Sequence, residues 1–322
     1  MTDHRLARLE ECLWPRGSIV QVWMILDAAR DPAILPLLRS SSLQNTCLYS
    51  GAVPRALGVV APYLVQLDRD NPVTHRLLSR AWGNSWGVFL ESDAKLAELR
   101  RHLRTFLMVR DPRGNQLLFR YYDPRVLRVY LPTCHREELH RVFGPVERFW
   151  TEHQSPNTLL EFTFRLIGLR TRTHDLDRAE AVTPQDPADE WSRRSTLPYP
   201  GALMIRSEQL DVFAQHERHK FEDWLMAHVT RFFPRESIAL GGESQMRDLI
   251  HYGVERSATY GITTKRDVCK YVDLMMVLGR NFDADGRFSW ALKQPWPASD
   301  KVSALYAVVK SRLSRRQRMS TK

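Results

Sequence analysis

The sequence predicts a two-lobed α+β protein: a mixed α/β lobe with a β-sheet in the N-terminal half, followed by an all-α helical lobe. Three observations carry this. Short apolar runs alternate with helical stretches as far as Leu169. Residues 172–200 then mix Asp175, Asp177, Glu180, Asp186, Asp189 and Glu190 with Pro184, Pro187, Pro198 and Pro200, a composition that disfavours regular structure. Beyond Gly201 the apolar residues recur at helical spacing only. A chain of 322 residues is also too long for one small core. The expected organisation is a mixed α/β lobe over 1–171, a linker over 172–200, a helical lobe over 201–297, and a terminal helix with a basic tail over 298–322.

The elements follow in order. Ile19–Leu26 reads as a buried strand, Ala33–Arg39 as a short helix and Val59–Leu67 as a second strand. Pro72–Ala81 is helical and Trp86–Glu91 returns to strand. Asp93 is the expected cap of a helix running to Thr105, with Leu96, Leu99 and Leu103 on its inner face. Phe106–Val109 and Gln116–Tyr122 flank Asp111-Pro112-Arg113-Gly114-Asn115, a turn with proline and glycine where a hairpin wants them. Alternation over Leu117–Tyr122 favours a half-buried strand, stopped by Asp123-Pro124. Aspartate suits the N-cap and proline the first helical position, so a short helix carries Val126, Leu127, Tyr130 and Leu131 on one face until Pro132. Leu159–Leu169 is a further strand. In the second half, Phe213, Phe221, Leu225, Val229 and Phe232 line a helix ended by Pro234. Met246 to Ser257 line a second, ended by Gly261, and Thr264 with Asp267 forms a capping box for a third.

Composition narrows the class. The apolar fraction of 43% is ordinary for a globular chain. No apolar run is long enough to span a bilayer, and Met1–Arg16 carries Asp3, Glu10 and Glu11 where a secretory signal needs an apolar stretch. Cys12, Cys47, Cys134 and Cys269 are too scattered for a disulfide framework or a zinc knuckle; reduced thiols in a cytoplasmic protein are the plain reading. The net charge of +10 is spread along the chain, apart from Lys310, Arg312, Arg315, Arg316, Arg318 and Lys322, which read as a solvated tail.

No catalytic constellation stands out, and neither a cofactor nor a metal is expected. Gly83-Asn84-Ser85-Trp86-Gly87 matches the G-x-S-x-G pattern of serine hydrolases, but that elbow needs a strand before the serine and a helix after it, and here the order is reversed. Ser85 is expected to be a turn residue beside a buried Trp86. Asn281-Phe282-Asp283-Ala284-Asp285-Gly286 begins like a calcium loop, yet position twelve is Leu292 where a bidentate glutamate is required. His216 and His219 lack a third ligand, and Cys134-His135 are neighbours only in sequence. Arginines and aromatics interleave between Arg110 and Arg128, but the aromatics fall at positions a strand buries, so nucleic acid is not the expected partner. A serine hydrolase and a basic nucleic-acid-binding protein are the two alternatives to a protein that grips cargo.

Phe119-Arg120-Tyr121-Tyr122-Asp123-Pro124-Arg125 and the turn Phe143-Gly144-Pro145 resemble the signature of bacterial type VI secretion effector chaperones, also called adaptors. Asp27-Ala28-Ala29 fits their Asp-Gly-Ala with alanine for the usual glycine, and Ala61–Val65 and Trp82–Ser92 also fit. The resemblance is strong over about 20–150 and weaker over 200–292. It implies a non-enzymatic cytoplasmic chaperone that binds a cognate toxic effector, commonly encoded nearby, and helps load it onto the valine-glycine repeat spike protein, without membrane insertion. Asp27, Arg120, Tyr122, Asp123, Pro124, Arg125, Gly144 and Pro145 are assigned to the fold, with Asp123 held by one of its flanking arginine forks. The expected cargo surface is an apolar interdomain cleft, with Arg110, Arg113 and Arg128 at its rim steering an acidic partner.

Overall fold

The computed structural model describes residues 1–15, 20–165, 168–178 and 203–320, the last nine of these by backbone alone. The chain divides into two compact units, Met1–Phe213 and Ala214–Lys322.

In the first unit the elements run α1 (Asp3–Leu13), β1 (Val22–Asp27), α2 (Ile34–Arg39), β2 (Asn45–Cys47), α3 (Arg55–Gly58), β3 (Pro62–Gln66), α4 (Pro72–Ala81), β4 (Gly87–Glu91), α5 (Leu96–Arg104), β5 (Met108–Arg110), β6 (Gln116–Leu118), α6 (Pro124–Tyr130), α7 (Arg136–Phe143), β7 (Arg148–Glu152), β8 (Thr158–Arg165) and β9 (Gly168–Asp175). Seven strands form an antiparallel sheet in the order β2-β3-β1-β4-β7-β8-β9, while β5 and β6 form a separate hairpin.

The continuous apolar run of β1 follows from its central place. Alternate residues serve opposite faces: Trp23 and Ile25 enter one core, and Val22, Met24 and Leu26 the other. The first core receives Leu99 and Leu103 from α5, Leu127 and Tyr130 from α6, and Leu139, Val142 and Phe143 from α7. The second receives Leu9 and Leu13 from α1, Ile34 and Leu38 from α2, and Leu77 and Leu78 from α4. The sheet is thus sandwiched between helical layers, which is why β1 reads as a continuous apolar run up to Asp27 instead of alternating with polar residues.

Several local expectations shift. The strand read over Leu117–Tyr122 ends at Leu118, whose own strand is exposed throughout, because Phe119, Tyr121 and Tyr122 leave the hairpin to fill the first core. Phe106 packs on Tyr121 with ring centroids 4.4 Å apart, and Phe119 meets Tyr130 edge-on at 4.8 Å. Tyr121 is buried at no cost in lost hydrogen bonding, since its hydroxyl donates to the Leu103 carbonyl at 2.8 Å. Asp93 does not cap α5; Lys95 occupies that position and makes no side-chain cap. Val59–Ala61 precede β3 instead of opening it. Residues 172–175, placed in the linker by composition, complete β9, and residues 179–200 of that linker lie outside the described residues, as does Ile19. Leu203 and Ile205 belong to the first core, pinned by Arg110 N–H to Leu203 O at 2.9 Å and Ile205 N–H to Arg110 O at 2.8 Å. This pairing explains why the second unit begins at Ala214, beyond the boundary composition suggests.

The helical region comprises α8 (Ser207–Phe232), α9 (Pro234–Ala239), α10 (Glu243–Thr259), α11 (Lys265–Leu278), α12 (Gly286–Leu292) and α13 (Ala298–Ser320). Phe221, Leu225 and Val229 of α8 pack with Met246, Leu249 and Ile250 of α10, Val268, Tyr271, Val272 and Met275 of α11, and Val302 and Leu305 of α13. Thr264 caps α11 by accepting the Asp267 N–H at 3.2 Å. The calcium-like segment is spent on structure. Asp283 accepts from Arg256 Nε at 2.5 Å and the Tyr260 hydroxyl at 2.8 Å, and Asp285 caps α12 through the Arg287 N–H at 3.0 Å.

Candidate functional site

Antiparallel pairing brings the end of β1, the start of β4 and the end of β7 to one end of the sheet, and Asp27 and its partner Arg120 meet there, whereas the Phe143-Gly144-Pro145 turn lies at the other end, where β4 finishes and β7 begins. Asp27 is buried; its N–H donates to Trp86 O at 2.7 Å, one carboxylate oxygen accepts the Ala29 N–H at 3.1 Å, and the other pairs with Arg120. The Arg120 guanidinium lies 5.9 Å from the Tyr122 ring centre. Asp123 caps α6, with Pro124 at its first position, and Arg125 is the fork that holds it. The Arg125 N–H and Nε each donate to Oδ1 at 2.9 Å, and Nη2 donates to Oδ2 at 2.6 Å.

Burial would raise the Asp123 pKa, but the Arg125 hydrogen bonds and charge, with Arg30 behind them, hold it below the usual carboxylate value. Asp123→Ala removes both a cap and a charge-assisted pair. Because Arg125 is itself partly exposed, we expect a loss of about 2 kcal/mol and a drop of roughly 4–8 °C in melting temperature. Asp123→Asn keeps the cap and loses less than half of that. A melting curve for each variant checks the pair; an unshifted Asp123→Ala curve removes the role.

Beside this brace, Glu152 accepts the Ser85 hydroxyl at 2.7 Å and the Gly83 N–H at 2.6 Å, while its carbonyl takes Arg128 Nη1 at 3.1 Å. Ser85, with φ of 53°, is a turn residue leading into β4, next to buried Trp86. Gly83, Ser85, Arg125, Arg128, Glu152 and His153 line a pocket of about 370 Å³.

A larger groove of about 530 Å³ opens elsewhere in the first unit. Its walls come from the β2–α3 connection (Tyr49, Val53, Pro54), from Leu57, from the end of α5 (Arg101, Arg104) and from the hairpin (Met108, Leu118). Leu57, Met108 and Leu118 are about half exposed, and Leu117, Val59 and Val60 add further exposed aliphatic surface to the hairpin and α3. Among the described residues β6 pairs with β5 alone, so its other edge presents free strand backbone next to that surface.

The three arginines expected at a rim do not converge. Arg110 and Arg113 sit on the β5–β6 hairpin, where Arg110 Nη1 donates to Gly114 O at 3.2 Å and the Arg113 N–H donates to Asp111 at 2.9 Å. Arg128 belongs instead to the Ser85–Glu152 pocket. Gly144 and Pro145 form the turn after α7, where the Ser92 hydroxyl donates to Pro145 O at 2.8 Å. The sequence reading missed Arg101, Arg104 and the groove wall at 49–57; exposed aliphatics in a polar loop were the one available signal. The side chains of Arg312, Arg315, Arg316, Arg318 and Lys322 lie outside those described.

The four cysteines are unpaired, and burial pushes the Cys134 thiol up to about 12, leaving it neutral beside His135. No described helix is long and apolar enough to cross a membrane. No curated protein and no solved structure matches the chain. One family model does: residues 22–141, from β1 into α7, carry a domain of unknown function, DUF4123.

Proposed function

We propose that this protein is an adaptor of type VI secretion, which holds a cognate effector in the cytoplasm and assists its loading onto the spike protein. The domain match over 22–141 covers most of the stretch in which the resemblance to effector chaperones is strong, including the Phe119–Arg125 string but not the Phe143-Gly144-Pro145 turn. The observation that carries the mechanism is the apolar groove beside the free edge of β6. An extended apolar segment of the effector adds to that edge through backbone hydrogen bonds and drops alternate side chains into the groove, which hides them from water without nucleotide or chemistry. Arg101 and Arg104 on the wall, with Arg110 and Arg113 on the hairpin, favour a segment flanked by acidic residues. The groove, rather than an interdomain cleft, is the cargo surface in this reading.

The test is co-purification with the product of a neighbouring gene. Met108→Glu with Leu118→Glu should weaken capture by more than roughly tenfold, the loss of about one buried anchor. Both residues are exposed, so the melting temperature should hold. Reversing Arg110 and Arg113 should slow association chiefly at low salt. Capture undiminished in the Met108/Leu118 variant would place the cargo elsewhere.

A further inference from the structure

We propose that the helical unit contains a binding site for a divalent metal ion of the zinc class, formed by His228, Cys269 and Asp273. This inference is independent of the adaptor reading. Cys269 and Asp273 lie one turn apart on α11, at i and i+4, and so project from one face; His228 comes from α8. One donor atom from each lies within 4.8 Å of the other two. Tetrahedral donors on one zinc ion are roughly 3.3–3.6 Å apart, so about an ångström of side-chain movement closes this set around an ion.

The surroundings are ordered for such a role. His228 Nε2 is 2.9 Å from Asp273 Oδ1, so the imidazole already faces the carboxylate. Trp224 stacks on the His228 ring with centroids 5.3 Å apart and planes at 20°, which restrains its rotation. The Tyr306 hydroxyl on α13 reaches Asp273 Oδ2 at 3.4 Å, an outer contact of the kind that orients metal-binding carboxylates. Lys270, the nearest cation on α11, is turned to Asp267 at 3.5 Å.

The donor chemistry selects the ion. A sulfur ligand disfavours magnesium and calcium, whereas imidazole, thiolate and carboxylate together suit zinc. Binding releases the Cys269 proton to solvent, and the thiolate and carboxylate then balance the ion's two charges. Three protein donors leave the fourth position to water. An ion there would tie α8 to α11. A bare His228–Asp273 hydrogen bond with a cysteine packed beside it uses the same atoms but predicts no response to metal.

The full-length protein, stripped with a chelator, is titrated with zinc chloride and separately with cobalt chloride. We expect one equivalent of zinc to bind, a rise in melting temperature, and a cobalt spectrum with tetrahedral visible bands and a sulfur-to-cobalt charge-transfer band. Cys269→Ser should abolish the charge-transfer band, and His228→Asn and Asp273→Asn should each weaken zinc by at least the roughly 10- to 100-fold that loss of an outer-shell partner costs. Circular dichroism of the metal-free variants verifies that they keep their helices; for any that does not, the wild-type cobalt spectrum decides. Zinc held no more tightly by the wild type than by a His228→Asn/Cys269→Ser double variant, or a cobalt spectrum without sulfur character, overturns the site.

Discussion

Gly87→Ala is expected to destabilise the first unit severely. A Cβ at this position would lie within 2.9 Å of the Ile25 carbonyl carbon and closer still to its oxygen. The obstacle is backbone in β1, the central strand, at the register where Leu26 faces Gly87. A flexible side chain could swing away, but a paired strand moves only by breaking its ladder. Overpacking ordinarily costs about 1–3 kcal/mol, and with no side chain able to yield we expect roughly 3–5 kcal/mol here, a fall of ten degrees or more in melting temperature. Gly83→Ala is the control: its φ is positive but nothing lies within 4 Å, so the cost is limited to about 1–2 kcal/mol of backbone strain. Equal losses in the two variants would show that the clash is relieved. The same geometry explains the G-x-S-x-G spelling. Gly83 turns the chain and Gly87 admits the neighbouring strand.

Acidification between pH 6.5 and 4 is expected to destabilise the first unit through His102. Burial lowers its pKa to about 4, against the opposing pull of a hydrogen bond to the Val142 carbonyl at 3.0 Å. A carbonyl only accepts, so Nε2 carries the proton of the neutral ring. The unfolded chain takes up a proton near pH 6.5 while the folded one refuses it until about 4. The stabilisation from a neutral His102 is therefore complete above pH 6.5 and is lost as pH falls to 4. The gap corresponds to roughly 3 kcal/mol. Depressed carboxylates such as Asp123 act lower, as pH drops below 3.8, so the two ranges separate. Denaturant midpoints measured across pH 7 to 4 should decline in the wild type and flatten in His102→Gln; parallel slopes would remove the assignment. The ring also explains the Phe143-Gly144-Pro145 turn. Gly144 has φ of 44°, and a Cβ there would fall within 2.7 Å of His102 Nδ1.

Features held within a few residues were open to reading from the sequence, and features assembled from distant ones were not. Pro72–Ala81 emerged with its ends correct because Asn71 caps it locally, accepting the Val73 N–H at 2.9 Å. The Asp123-Pro124 cap and the Thr264 cap are similarly self-contained, although the Asp267 carboxylate accepts the Thr264 hydroxyl and not its N–H, so the full capping box does not form. β7 escaped because Phe149 and Trp150 are adjacent bulky residues serving opposite cores, which hides the period of two. The 119–122 aromatics misled for a related reason. Their alternation fits a strand, but the first core recruits them from irregular backbone.

By itself, then, the sequence determined the α+β division, the caps of α6 and α11, and the brace chemistry of Asp123, since each rests on local patterning, sterics and hydrogen bonding. Only the tertiary structure decided the strand order, the gathering of Asp27, Arg120, Ser85 and Glu152 at one end of the sheet, the separation of Arg128 from Arg110 and Arg113, and the meeting of His228 with Cys269 and Asp273. Those outcomes follow from which apolar faces bury against one another, a property of the whole unit that no local spacing encodes.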